Sequence, residues 1–190
     1  MRKIIGFRIE IKPWQIERRA KKAGLNLKEE GFSPEAVEAL ITKARQSVVP
    51  AVLYDTFPGA TPELSKLSPL PGLAFSLILA TAGDPLHRFV ETLRGEGPAM
   101  GTVASLIEDA ALDEVLRFTT GLIAEDAGRE ACALSPLSPL ADEESLRAVL
   151  SKLDGSKISV SLTGGRLQPR PSRAASLAWI SKSKAKGKTS

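Results

Sequence analysis

The chain has 190 residues, of which 43% are hydrophobic and 25% charged, a composition typical of one globular unit and too apolar for a disordered chain. No apolar run reaches the roughly 18 residues that a membrane helix needs, and the first residues do not resemble a signal peptide, so we expect a cytoplasmic protein without a membrane partner. The single cysteine, Cys132, excludes an internal disulfide and a thiolate metal cluster, and its neutral neighbours favour a buried packing role.

The net charge of +4 is unevenly distributed along the chain. Residues 166–190 contain seven basic residues and no acidic one, which leaves 19 basic against 22 acidic residues in the remainder. We expect residues 1–180 to form a single domain and residues 181–190 to form a basic, disordered tail. This tail has no aromatic residue for base stacking, which argues against nucleic acid binding but leaves open docking to an acidic partner.

The N-terminal third predicts two helices between two strands. Residues 5–11 alternate between apolar and charged side chains, which is typical of a half-buried strand. Pro13 suits the first position of a helix, and Gly24 suits its stop. A second helix is predicted to begin after Ser33, a preferred N-cap residue, and residues 50–57 then predict a strand.

The middle of the chain predicts a buried strand and two helices after an irregular segment. Residues 58–72 contain four prolines and two glycines, so we expect an excursion over the surface. Residues 73–81 predict a buried strand, which leads through Asp84 into a helix that ends at Gly95. Apolar residues then recur at helical spacing over residues 100–127, which predicts a long helix that serves as the spine of the domain.

Asp142 is the predicted N-cap of one more helix, and Gly155 is its predicted stop. Residues 158–163 alternate between apolar and small polar side chains, which predicts a further strand. The remaining residues are rich in arginine, proline and small side chains, and their pattern predicts no regular element.

Residues suited to catalysis are sparse. The only histidine, His87, cannot form a histidine-rich metal site alone, so we expect it at the surface or near a helix end. Two acidic pairs, residues 108–109 and 113–114, are typical of a solvated stripe on the long helix. The glycine-rich phosphate-binding signatures are absent, which argues against a conventional nucleotide enzyme.

Two loops have the features of a ligand site. Residues 134–142, "LSPLSPLAD", contain two Ser-Pro steps that favour extended, stiff backbone. Residues 164–166 bring two glycines, which permit close approach of a ligand, next to an arginine that can bind a carboxylate with two hydrogen bonds. The same residue types also suit two tight connections in an α/β fold. The candidate site residues are Ser135, Pro136, Ser138, Thr163, Gly164, Gly165 and Arg166.

Around these loops the sequence resembles a known family. Residues 80–126, residues 134–165 and the segment "QPRPSRAASLAWI" are similar in order and character to the reactivation domain of cobalamin-dependent methionine synthase, and more closely to its free-standing bacterial relatives. Residues 23–57 resemble the leading segment of the free-standing forms.

The resemblance implies an α+β fold, specifically the C-shaped activation-domain fold with a twisted, mainly antiparallel sheet and long helices. It further implies an accessory protein that binds S-adenosylmethionine or cobalamin and supports a corrinoid protein or a corrinoid-dependent methyltransferase. In such a module the cofactor and methyl donor carry the chemistry, and it stays open whether this chain turns over any substrate. The alternative is a non-enzymatic interaction module that has lost the ligand site and docks an acidic partner through its basic tail.

This chain departs from the family at its ligand loop. The family's Arg-x-x-x-Gly-Tyr pattern falls on Ala133, Leu137 and Ser138, and none of its three residues is retained. The usual Leu-Thr-Glu-Ser is replaced by a sequence that ends in Gly164 and Gly165. We therefore expect Arg166 to supply the guanidinium that the family places elsewhere.

Overall fold

A computed structural model describes residues 1–61 and 64–182. They form a mixed α+β structure with an open, mainly antiparallel sheet, as expected. The helices are α1 (Pro13–Lys22), α2 (Pro34–Ser47), α3 (Asp84–Arg94), α4 (Pro98–Arg129) and α5 (Glu143–Lys152). The strands are β1 (Arg2–Ile5), β2 (Ala51–Pro58), β3 (Ala74–Thr81), β4 (Cys132–Leu134), β5 (Ser138–Leu140), β6 (Ser161–Thr163), β7 (Arg166–Gln168) and β8 (Ser172–Ser181).

The main sheet has the order β1-β2-β3-β8-β4, and β5 also pairs with β8, beyond β4 along the same edge. All of these strand pairs are antiparallel. Strand β8 is bonded on both sides, and Ala174, Ala175 and Ala178 leave little side-chain bulk along its buried middle. The sequence pattern did not predict this central strand.

Different helices cover the two faces of the sheet. Side chains from α4, including Val115 and Ile123, pack on one face, and side chains from α5, including Val149, pack on the other. The alternation of strand β3 supplies both faces, with Ile78 toward α4 and Leu79 toward α5. Burial of one such aliphatic side chain stabilises the fold by about 1.5–3 kcal/mol.

Helix α4 joins the sheet to a separate group of helices. It has 32 residues, which corresponds to roughly 48 Å of helix. Its C-terminal half packs on the sheet, and its N-terminal half contributes Ile107 and Ala111 to a core shared with α1, α2 and α3. The prediction that this helix is the spine of the domain is therefore confirmed. Within the described residues, none of the helices combines the length and apolarity required to cross a bilayer.

Most predicted helix ends are confirmed because specific caps mark them. The Ser33 hydroxyl accepts a hydrogen bond from the Ala36 amide at 3.2 Å, and the Asp142 carboxylate accepts one from the Ser145 amide at 2.8 Å. The hydrogen bonds from Ser145 also hold the pKa of Asp142 below its ordinary value. Helix α1 begins at Pro13 and is followed by Gly24 with φ +75°, as predicted.

Two predicted strands are wrong in extent. The first lies at Arg2–Ile5 instead of residues 5–11, because Gly6 with φ +67° turns the chain out of the sheet. In residues 158–163 only Ser161–Thr163 is a strand, since Gly155–Ile158 forms a 3₁₀ turn and Ser159 has a left-handed conformation. Strand β6 belongs to a separate two-stranded hairpin with β7 and does not join the main sheet.

Beyond Pro58, which ends β2, the only regular element in the described part of residues 59–72 is a short 3₁₀ turn, in agreement with the predicted irregular excursion. Its Leu64 and Leu67 are nevertheless buried and cover part of the sheet on the α5 side. Cys132 is also buried, as predicted. Strand β8 extends through Ser181, and the Lys182 amide bonds the Ala131 carbonyl at 3.2 Å, whereas the rest of the predicted tail, residues 183–190, lies outside the described residues.

Candidate functional site

The first predicted ligand loop forms an edge of the main sheet. Strands β4 and β5 flank Ser135, Pro136 and residue 137, and all three segments lie beside β8. The Ser135 amide donates to the Ala178 carbonyl at 2.9 Å, and its hydroxyl accepts from the Ala178 amide at 2.9 Å. The same hydroxyl donates to the Pro136 carbonyl at 2.9 Å. Ser135 is thus buried and structural, since its side chain replaces a missing ladder bond.

Ser138 lies opposite Ser176 in the pairing of β5 with β8. Ser176 is fully buried, and its hydroxyl has no hydrogen-bond partner in the described structure. Directly paired residues of two strands project to the same face of a sheet, so both serines belong to the α5 face. A buried hydroxyl without a hydrogen bond costs about 1–3 kcal/mol of folding free energy. Ser176 is such a residue, and it lies next to the predicted loop.

The second predicted loop is the tip of the β6–β7 hairpin. Gly164 and Gly165 have φ of +58° and +73°, as a two-residue type I′ turn requires. Thr163 and Arg166 are the paired residues that flank this turn. Arg166 is exposed and has no hydrogen-bonding or ionic partner among the described residues. The turn geometry therefore explains both glycines, whereas the Arg166 side chain remains available to bind a ligand.

The hairpin tip lies against the start of α5. A Cβ atom built on Gly165 would be 3.2 Å from Oε2 of Glu143, the first residue of that helix. The other oxygen of Glu143, Oε1, accepts hydrogen bonds from Arg147. The sequence pattern did not single out Glu143, because an acidic residue in the first turn of a helix is ordinary there.

The structure brings only part of the predicted site together. The hairpin tip lies at the start of α5, whereas Ser138 is the first residue of β5, opposite Ser176 and at the end of that strand away from α5. Ser135 faces Ala178, whereas the end of β5 faces Ala174, a separation of four residues or roughly 13 Å along β8. The surface clefts among the described residues include five of about 250–580 Å³, and none of the seven predicted residues lines any of these five.

A second polar cluster lies between α3 and α4. Oε2 of Glu108 accepts a hydrogen bond from Arg94 at 3.1 Å, and Arg94 also donates to the Ser105 hydroxyl at 3.1 Å. Nδ1 of His87 is 3.8 Å from Oε1 of Glu108, and both atoms are buried without a hydrogen-bond partner in the described structure. Burial raises the pKa of Glu108, while the charges of Arg94, His87 and Arg170 oppose that rise. His87 lies in the first turn of α3, near a helix end as expected, but its side chain is half-buried against α4.

The predicted acidic stripe on α4 is only partly solvated. Asp109 is exposed and Asp113 is half-buried, and both pair with Arg173 of β8. Glu114 is buried and accepts hydrogen bonds from Gln15 and Arg117. These contacts tie α4 to β8 and α1, so the stripe has a structural role.

The described residues contain no group of three or more His, Cys, Asp or Glu side chains that could hold a metal ion. The polar side chains at or beside the two predicted loops are those of Ser138, Ser176, Glu143 and Arg166. Comparison of the chain with protein-family models and with curated proteins finds no match.

Proposed function

We propose that this protein is an accessory binding module for a corrinoid-dependent methyltransferase, with its ligand or partner site extending from β5 to the first turn of α5. The observation that carries the proposal is the buried, unpaired Ser176 hydroxyl opposite Ser138, in the segment that resembles the family's ligand loop. A polar atom in this position favours a guest that can supply its missing hydrogen bond.

The charges at this connection suit the amino acid end of S-adenosylmethionine. Arg166 offers a guanidinium for a carboxylate, and Oε2 of Glu143 offers an acceptor for an ammonium group. The corrinoid protein is the alternative occupant of the same surface. In either case this chain's residues bind and orient, and the methyl donor and the corrinoid supply the reactive atoms.

Calorimetry and thermal unfolding with S-adenosylmethionine, its demethylated product and cobalamins test the proposal. A ligand present at 100 times its dissociation constant stabilises the folded state by about 2.7 kcal/mol, which raises Tm by roughly 5–11 °C in a chain of this size. We expect Arg166→Ala to weaken binding of the responding ligand, because losing a close charge contact costs about 2–5 kcal/mol.

Arg88→Ala is the matched control, since Arg88 is exposed and its side chain pairs, within the described residues, only with Asp84 of the same helix. Equal affinity of the Arg166 and Arg88 variants would refute the role of Arg166. If no ligand in the panel binds and no corrinoid protein associates, the interaction module that docks an acidic partner becomes the better explanation.

A further inference from the structure

A cleft of about 320 Å³ lies between α1 and α4, on surfaces that the proposed function does not use. Its lining combines one tryptophan and one glutamine with four basic and two acidic residues: Trp14, Gln15, Arg18, Arg19, Lys22, Asp113, Glu114 and Arg117. The basic side chains outnumber the acidic ones by two, so the cleft has a net positive charge. An anion is therefore the kind of ligand that the cleft attracts.

Partners within the fold already satisfy the first acidic group, Asp113. Arg19 of α1 bonds its Oδ2, and Arg173 of β8 bonds its Oδ1 at 2.9 Å. Asp113 therefore fixes the position of α1 against the sheet and does not need a cation from a ligand.

The second acidic group, Glu114, is satisfied in the same way. Its Oε1 accepts from Gln15 Nε2 at 2.8 Å, and its Oε2 accepts from Arg117 Nε at 2.9 Å. Oε1 of Gln15 in turn accepts from the Lys12 amide at 2.7 Å, which holds the glutamine in place. Both acidic groups of the cleft thus already have hydrogen-bond partners within the protein.

Arg18 and Lys22 differ from the other basic residues of the cleft. Within the described part of the chain neither has an ionic or hydrogen-bonding partner. They are four residues apart on α1, as are Trp14 and Arg18, so the three side chains follow one face of the helix at intervals of about 6 Å. Two free cations in a row suit a ligand that carries more than one negative charge.

Trp14 stands at the N-terminal end of this row and is 53% exposed. A large indole left in water beside free cations offers a flat surface for stacking a planar group. The other tryptophan of the chain, Trp179, is only 7% exposed and bonds the Ser76 hydroxyl, which leaves Trp14 as the accessible indole.

We propose that this cleft binds a phosphorylated nucleoside, with the base against Trp14 and the phosphates at Arg18 and Lys22. The volume lies within the range of small-molecule sites, which begins at about 300 Å³, and below the roughly 500 Å³ that one turn of a partner helix occupies. A single carboxylate would satisfy one of the two free cations, whereas a diphosphate or successive phosphates satisfy both. None of the residues that line the cleft is a glycine, so side chains and not a glycine-rich backbone loop would hold the phosphates.

Titration of the intact protein with ADP and with a short single-stranded oligothymidine tests the inference. Either probe should quench the fluorescence of Trp14 while leaving that of buried Trp179 unchanged. Adenosine alone and pyrophosphate alone should bind more weakly than ADP, because each engages only half of the row. Tight binding of ADP identifies a free nucleotide as the ligand, whereas binding of the oligonucleotide alone identifies a single strand.

Variants measured by calorimetry separate this site from general attraction between charges. Trp14→Ala should weaken binding by about 5- to 150-fold, the usual effect of losing one stacked base. The double variant of Arg18→Ala and Lys22→Ala should weaken it further and should lower the salt dependence of oligonucleotide binding. Lys21→Ala, which removes a charge from α1 outside this cleft, should leave the affinity unchanged.

Three results would overturn the inference. These are the absence of binding by both ADP and the oligonucleotide, equal binding of polyglutamate, and equal affinities of the double variant and Lys21→Ala. Equal binding of polyglutamate would instead favour an acidic protein as the partner. None of the cleft residues belongs to the β5–α5 connection, so failure here leaves the proposed function untouched.

Discussion

Replacing Ser176 by alanine should stabilise the protein in the absence of ligand. The Ser176 hydroxyl is completely buried, and its oxygen has no partner in the described structure. An unsatisfied buried hydroxyl costs about 1–3 kcal/mol, and alanine removes it while keeping the Cβ atom in place. We expect the free energy of unfolding to rise by that amount, which corresponds to roughly 2–4 °C in Tm for each kcal/mol.

Ser76→Ala is the matched control, because Ser76 is equally buried in the neighbouring strand β3 but its hydroxyl is fully used. It accepts from the Trp179 indole at 2.9 Å and lies 2.8 Å from the Thr56 hydroxyl. Alanine there leaves the indole N–H buried without a partner, so we expect a loss of about 1–3 kcal/mol. The two serine substitutions should thus change stability in opposite directions.

Urea unfolding monitored by circular dichroism measures both variants, with an unchanged m value showing that the transitions stay comparable. A destabilised Ser176 variant would refute the reasoning, since the hydroxyl would then have a partner in solution. If S-adenosylmethionine stabilises the wild type, it should stabilise Ser176→Ala less, because the variant has lost the atom that the ligand is proposed to satisfy.

Two further substitutions test the packing and the charge of the fold. Gly155→Ala would place a Cβ atom 2.5 Å from the Val160 carbonyl oxygen, so we expect a loss of about 1–3 kcal/mol in urea unfolding, whereas Gly121→Ala, which meets nothing within 4 Å inside α4, should gain about 0.5–1 kcal/mol. Burial raises the folded-state pKa of Glu108, so its contribution to stability is present below the ordinary pKa of 4.5 and is lost as the pH rises through the raised value. The Tm of Glu108→Gln should therefore fall less from acid to neutral pH than the Tm of the wild type or of Glu91→Gln. An identical fall in the Tm of all three proteins would contradict this assignment.

The helices could be predicted from the sequence because their signals are local. Ser33, Asp142 and Pro13 mark helix starts through bonds and dihedral angles that involve only neighbouring residues. The long apolar periodicity of α4 also survives although its two halves pack against different partners. Local chemistry was sufficient in these cases.

Strand β8 could not be predicted in the same way. Its small residues lack the alternation of a half-buried strand, because both of its faces are covered and both of its edges are paired. Near residues 5–11 a strand was predicted that the structure does not contain. The side chains there do alternate between apolar and charged, but Gly6 turns the chain away from the sheet. Long-range pairing decided the first outcome, and the backbone conformation of one glycine decided the second.

The candidate site likewise combines features that follow from the local sequence with features that depend on tertiary contacts. Gly164 and Gly165 form a Gly-Gly pair, which is typical of a two-residue hairpin turn, and this turn requires their positive φ angles. The pairing of Ser138 with Ser176 joins residues that are 38 positions apart and depends on the register of a strand that the pattern did not predict. The sequence pattern did not single out Trp14, because both its exposure and its position in the cleft with Arg117 depend on how α1 packs on α4.

The two proposed sites lie on opposite sides of the main sheet. Arg173 and Ser176 of β8 are separated by an odd number of residues, so their side chains project to opposite sides of the sheet. Arg173 reaches Asp113 on the α4 side, where the Trp14 cleft lies, and Ser176 belongs to the α5 side. The Ser176 hydroxyl and the hydrogen bonds around Asp113 are thus on opposite sides of the sheet, so we expect binding at the two proposed sites to be independent.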